Sequence, residues 1–196
     1  MKKAFTLIEV VILLVIFVMV ALLVIPLSID DTIQATRISK WKQAQNDFKQ
    51  IPTSVKTFSD KEMDLQDFVT ALVKIRPLNK VVSYKIKYMN GETPKAEYHF
   101  SEIYNTDSGA TLAFQWLDTP TYDYNVNKKV LGTLMYDVNG IKGPNIWGKD
   151  VFGMNIYADK IEPFGKSMST DEVEFDCSRQ GRGLYCSSYY LNGGAF

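Results

Sequence analysis

The stretch Met1-Lys2-Lys3-Ala4-Phe5-Thr6-Leu7-Ile8-Glu9, followed by an unbroken apolar run from Val10 to Ile25, decides how the rest of the chain is read. From Phe5 to Leu27 it supplies the roughly 20 residues that cross about 30 Å of hydrocarbon as a helix, interrupted only by Glu9 and Pro26. Lys2 and Lys3 lie on one side and Asp30 and Asp31 on the other. This bias places the N-terminus in the cytoplasm and the remaining residues, about 160, across the membrane. A cleaved signal peptide fits poorly, because its apolar core runs to about 7–15 residues and Pro26-Leu27-Ser28 is a weak substitute for an A-x-A site. A plain anchor fits poorly too, since an ionisable group costs about 2.5–3.5 kcal/mol at the bilayer centre and less near its edge. Glu9 is therefore a functional candidate.

Ala4-Phe5-Thr6-Leu7-Ile8-Glu9 resembles the cleavage and methylation signal of type IV pilins and type II secretion pseudopilins. The resemblance implies a leader over residues 1–4, cleavage between Ala4 and Phe5 by a prepilin peptidase, N-methylation of Phe5, an assembly acid at Glu9 and a helix-kinking proline at Pro26. Ala4 stands where the family usually has Gly; a methyl group still suits a site that takes a small residue, with slower cleavage as the expected consequence. In a filament the Glu9 carboxylate neutralises the free amine of Phe5 on a neighbouring subunit, a pairing stronger in low dielectric than in water. The implied partners are further copies of the chain, other pilins or pseudopilins, the peptidase and an inner-membrane assembly platform. The implied location is a single pass of the inner membrane, then an extracellular or periplasmic filament.

The 196 residues carry 22 acids and 22 bases, so no excess charge points to a nucleic-acid partner. Without the N-terminal helix about 145 residues remain, enough for one core. Cys177 and Cys186 are the only cysteines. In an exported domain they are expected to pair and close a short loop worth about 2–3 kcal/mol; free thiols or half a metal site are the alternatives.

Residues 28–52 read as an amphipathic continuation of the helix. Ile29, Ile33, Trp41, Ala44, Phe48 and Ile51 recur at helical spacing against Arg37, Lys40, Lys42, Gln45 and Asp47, and Pro52 ends the run. A head follows over residues 53–196. Leu65, Phe68, Val69, Leu72 and Val73 predict a helix from Lys61 to Ile75, capped by Ser59 or Asp60 and stopped by Arg76-Pro77. From Val81 the period turns to two, with Val82, Tyr84, Ile86 and Tyr88 alternating up to a turn at Asn90-Gly91. Further strands are predicted at Ala96–Tyr104, Thr111–Leu117, Gly132–Tyr136 and Val151–Ala158. Helices before strands argue for an α+β head with an antiparallel sheet. The resemblance implies the same pilin-like plan, a long hydrophobic N-terminal helix packed on a C-terminal head.

The segment from Asp137 to Asp150, DVNGIKGPNIWGKD, marks consecutive tight turns between two strands. Asp137, Asn139 and Asp150 supply hard oxygen atoms for a calcium ion, as in a late loop of some pseudopilins. It is no EF-hand, because Gly140 comes too early and the terminal Glu is missing. The competing reading is that Asp and Asn bond their own backbone in Asx turns.

Gly165-Lys166-Ser167 lacks the earlier glycine of a phosphate loop, since Lys160 stands there. His99 shares a strand face with Glu97 and reads as a surface or satisfied histidine. No G-x-S-x-G, H-E-x-x-H or C-x-x-C occurs, so the chain is read as no enzyme, with no cofactor beyond that possible calcium. Arg179, Arg182 and Tyr185 between the cysteines, with Tyr189, Tyr190 and Phe196 after them, offer cations and stacking faces for a surface ligand. Asp171, Glu172, Glu174 and Asp176 just before them oppose a polyanion. The expected function is thus a filament subunit, and the alternative is a minor tip pilin acting as a ligand- or DNA-binding module.

Overall fold

The computed structural model describes residues 6–58, 63–81, 84–94, 100 and 103–195, with the side chains at 23, 25–28, 57–58 and 81 left out. The chain divides into two compact units, Met1–Thr36 and Arg37–Ala195, and each is described by itself.

Helix α1 is Leu7–Lys49. In the first unit its large apolar side chains stand in the open: Leu7, Ile8, Val10 through Val20, Leu22 and Val24 are all exposed. Among the described residues no helix is long and apolar enough to cross a membrane. The transmembrane helix expected over 5–27 is thus not found among them; Phe5 and the side chains of Leu23 and 25–27 lie outside the description.

The second unit is α+β. Its sheet has six antiparallel strands in the order β1-β2-β3-β4-β5-β6, each paired with its sequence neighbour. They are β1 Leu78–Val81, β2 Ile103–Thr106, β3 Thr111–Asp123, β4 Lys128–Asp137, β5 Val151–Ile156 and β6 Ile161–Pro163. Strands β3 and β4 form a long hairpin whose turn is tied by the Asp123 carboxylate, which accepts from Asn125 N at 3.0 Å and Val126 N at 3.3 Å. The β3 register slips between Trp116 and Thr121, at Pro120, which has no N–H to donate to a ladder.

Both faces of the sheet are covered. On one lie Leu112, Leu134, Tyr136, Phe152, Met154 and Ile156 with the apolar side of the helices; on the other lie Ala113, Met135 and Val151 with Tyr88, Trp147, Phe164 and Leu184. Successive residues of a strand point to opposite faces, which is why Leu134, Met135 and Tyr136 are all buried.

From Arg37 onward α1 packs on the first face. Trp41 stacks on Phe152 at 4.9 Å, and Phe48 meets Tyr136 edge-on at 5.5 Å. Trp41 Nε1 donates to the Ser187 carbonyl at 2.9 Å, so the largest side chain on the helix buries its polar atom without losing a hydrogen bond. The buried stripe is narrower than its spacing predicted: Ile29 and Ile33 are exposed, whereas Gln45, expected on the polar side, is buried.

Pro52 does not end the helical region. Helix α2 is Ile51–Phe58, and Pro52 sits in its first turn, where a missing N–H costs nothing. Helix α3 is Leu65–Ile75, and its cap is Asp64 rather than Ser59 or Asp60, which are outside the described residues. Asp67 N donates to Asp64 Oδ1 at 2.9 Å, and the Asp67 side chain accepts back from Asp64 N. This is a reciprocal capping box. Of the predicted apolar face only Phe68 and Leu72 are fully buried, against Phe114 and Trp116 of β3; Leu65 and Val73 are exposed.

The strand read from Val81 to Tyr88 is not one. Residues 84–86 are irregular, Lys87 makes a single parallel bridge to Ile146, and Val82 and Ser83 lie outside the description. Of the strand predicted at Ala96–Tyr104 only its end appears, in β2; residues 95–99, His99 among them, and 101–102 are outside the description. Strand β6 and the short helices α4 Thr170–Asp176 and α5 Cys186–Tyr189 were not anticipated.

Candidate functional site

Three places carry the sequence candidates. The first is the start of α1. Thr6 caps the helix: Thr6 N and Oγ1 donate to Glu9 Oε2 at 2.8 and 2.7 Å, and Glu9 N donates to Thr6 Oγ1 at 3.3 Å. Thr6-x-x-Glu9 is thus a capping box, a pattern legible in the sequence but overlooked beside the assembly acid. Glu9 lies in the first helical turn, where a negative charge is favoured by the helix dipole. Ala4 and Phe5, the expected cleavage and methylation positions, lie outside the described residues. Helix α1 continues through position 26, and the side chain of Pro26 is not described.

The second place is the turn-rich loop between β4 and β5. Asp137 and Val151 are cross-strand partners, so the loop closes a hairpin. Both of its aspartates are buried, and both carboxylates are taken by nearby donors. Asp137 Oδ1 accepts from Asn139 N at 2.9 Å and Gly140 N at 3.0 Å, and Asp137 Oδ2 accepts from the Tyr84 hydroxyl. Asp150 Oδ1 accepts from Ile146 N at 2.7 Å and Oδ2 from Asn145 N at 3.0 Å. The Asn139 amide nitrogen donates to the Gly143 carbonyl at 3.0 Å.

Burial, aided by the charge of Asp150, pushes the Asp137 carboxyl up to about 7 against the pull of its hydrogen bonds. Burial also raises the Tyr84 phenol, and the Asp137 charge adds to this. The structure therefore brings Asp137, Asn139 and Asp150 into one loop, with the Asp150 carboxylate spent on backbone N–H groups and the Asp137 carboxylate shared between backbone N–H groups and the Tyr84 hydroxyl. Among the described residues no group of three or more His, Cys, Asp or Glu side chains is placed to hold a metal ion. The donors fit the Asx-turn reading better than a calcium cage.

The third place is the cysteine loop. Cys177 and Cys186 are joined by a disulfide. Just before the loop, at the end of the helix over Thr170–Asp176, Asp176 is buried and acts as the loop's organising acceptor, taking Arg182 N at 3.2 Å and Tyr185 N at 2.7 Å, with Arg182 Nε 3.7 Å away. Two glycines let this loop and the turn-rich loop touch. A Cβ on Gly183 would lie 2.2 Å from the Trp147 carbonyl, and one on Gly148 would lie 2.6 Å from Cys186 Sγ; both have φ of +81°, a region that favours glycine.

Most of the residues proposed as a ligand surface are consumed by this packing. Arg182 faces Asp176 and lies 5.9 Å from the centre of the Tyr88 ring. Tyr190 is buried with its hydroxyl donating to the Gly148 carbonyl at 3.3 Å, and Tyr185 and Tyr189 are half-buried. Arg179 alone of the two arginines is exposed, and Phe196 lies outside the described residues. The acidic residues upstream form α4, capped by Ser169 with Glu172 in a third reciprocal box. Gly165-Lys166-Ser167 is part of a tight turn after β6.

No protein-family model, no curated protein and no solved structure matches this chain.

Proposed function

We propose that the chain is a structural subunit of a type IV pilus-like or type II secretion pseudopilus-like filament, cut between Ala4 and Phe5 and assembled through its N-terminal helix. The observation that supports this is the first part of α1: a helix whose large apolar side chains are exposed, with a single acid, Glu9, in its first turn. Each such side chain gains about 1.5–3 kcal/mol on full burial, so the helix is driven to find lipid or other copies. The uninterrupted apolar sequence from Val10 to Ile25 suits a membrane-held stage before assembly, and Lys2 and Lys3 suit a cytoplasmic leader. The self-contained head then supplies lateral contacts and the filament surface.

Glu9 carries two separable roles, capping its own helix and neutralising the Phe5 amine of a neighbour. A glutamine keeps the first, because Glu and Gln both complete a capping box, and removes the charge the second requires. The test counts sheared filaments from Glu9→Gln and Glu9→Ala strains and sequences the N-terminus of the wild-type chain. Loss of filaments in both variants, with a wild-type chain beginning at methylated Phe5, is the expected result. Normal filaments from Glu9→Gln would reduce Glu9 to a cap, and a mature chain retaining Lys2 and Lys3 would overturn the processed-subunit reading.

A further inference from the structure

Two features among the described residues of the head match. One is a cavity of about 450 Å³ lined by Tyr84, Ile86, Pro94, Phe100 and Ile103, with Lys85 and Lys87 also in its lining. Its volume falls in the range of about 300–1,000 Å³ typical of binding pockets, and both lysines are exposed. Among the described residues neither lysine has an ion-pair partner.

The other feature is Phe175. It is 64% exposed on α4, a helix otherwise pinned to the head by buried Val173 and Asp176. Around it on the same helix stand Asp171, Glu172 and Glu174, all exposed. A large aromatic ring held out from a fixed helix and fringed by carboxylates is an unusual surface element in a chain whose other phenylalanines with described side chains outside α1 are buried or half-buried.

We infer that Phe175 of one copy seats in the cavity walled by Ile86, Phe100 and Ile103 of the next copy, with Lys85 and Lys87 facing the acids of α4. The occupant follows from the match of shape and charge: the cavity has room for a phenyl ring, its walls are largely apolar, and its lysines attract the acidic fringe of this knob. Aromatic anchors in desolvated pockets dominate protein interfaces, while opposed charges at the rim fix orientation and register. Knob and hole are different residues of one head, and in the proposed filament each copy gives its ring to one neighbour and receives a ring from another. Such a heterologous contact propagates along a filament where its rotation does not close a ring. The inference rests on the filament reading and names one of its head contacts.

The test uses the full chain in its native strain. Phe175→Ala, at an exposed position, leaves the fold intact and should lower the yield of sheared filaments roughly tenfold or more, the scale of losing an interface anchor. Ile103→Trp, which fills the cavity from within, should do the same. Glu174→Lys and Lys87→Glu should each weaken assembly, and the double reversal should restore it, which a purely structural role of either residue would not produce.

Filaments of a chain carrying Phe175→Cys and Ile86→Cys should, on oxidation, give a ladder of cross-linked species extending beyond the dimer. Wild-type yields from both Phe175→Ala and Ile103→Trp, no ladder, or a ladder that ends at the dimer would each overturn the contact. If wild-type filaments form but the ladder fails, the contact falls and the filament reading stands. If no filaments form but the ladder appears from the detergent-solubilised chain, the filament reading falls and the contact stands.

Discussion

The first part of α1 and the head are opposite solutions to the same problem. The helix from Leu7 to Val24 exposes nearly every large apolar side chain it carries. The head closes its core around a sheet covered on both faces, with Trp41, Phe48, Phe68, Phe152 and Tyr190 fully or almost fully buried. Apolar surface is stabilising only when something covers it. The head supplies its own cover, so its stability belongs to one chain. The helix has none among the described residues of its unit, so its stability depends on what surrounds it. The difference predicts that mutations in the two regions are read by different measurements.

The largest expected effect is in the head. Trp41→Ala removes a ring stacked on Phe152 and orphans the Ser187 carbonyl, and should cost about 3–5 kcal/mol in a denaturant melt of the full chain. A loss below about 1 kcal/mol would mean that α1 contributes little to the core of the head. Next comes the disulfide. Reduction should cost about 2–3 kcal/mol, and it should loosen the turn-rich loop as well, because Gly148 lies against Cys186 Sγ. Hydrogen exchange confined to residues 177–186 would argue against that coupling.

An effect read by its sign concerns Asp137. Its carboxyl titrates at about 7 in the folded head, with burial the main cause, and at about 3.9 when unfolded. Between these values the native state holds a proton that the unfolded state has released. The contribution is therefore fully present below about pH 4 and is lost as pH rises through about 7. Asp137→Asn should flatten this part of the stability–pH curve, and a slope that survives the substitution would assign it to another group. The smallest effect is the control for the whole comparison. Leu14→Ala should move the melt of the head by no more than about 0.5 kcal/mol while, on the filament proposal, weakening assembly. A cooperative loss of head stability would erase the distinction between the two regions.

How much was legible follows from the range over which each signal acts. Local signals were readable and held up: the helical spacing of Trp41, Ala44 and Phe48, the strands around Leu112, Leu134 and Phe152, and the turn residues between Asp137 and Asp150. Caps were harder. Asp64-x-x-Asp67 and Ser169-x-x-Glu172 are both visible as short-range pairs, yet Ser59 and Asp60 compete with the first, and only backbone geometry selects the acceptor. Pro52 does not mark the end of the helical region, because proline is compatible with both the end of one helix and the first turn of another.

The stretch from Val82 to Tyr88 shows the limit of periodicity. It alternates like a strand, but Tyr84 is drawn to Asp137, and the Lys87 backbone bonds to Asn145 and Trp147. These partners are distant in sequence and leave no local mark.

By itself the sequence determined the α+β class, the antiparallel sheet, the pairing of the two cysteines and an N-terminal segment unlike the rest of the chain. These depend on composition, on side-chain period and on a count of two. Only the tertiary structure decided that the sheet is a six-stranded meander covered on both faces. It alone spent the carboxylates of Asp137 and Asp150 on backbone N–H groups and the Tyr84 hydroxyl, turned Arg182 and Tyr190 inward, and left Phe175 out. The physical reason is that burial and hydrogen-bond satisfaction are set by neighbours in space. Arginine beside tyrosine reads equally well as a ligand surface or as packing until the fold places Asp176 and Gly148 against them.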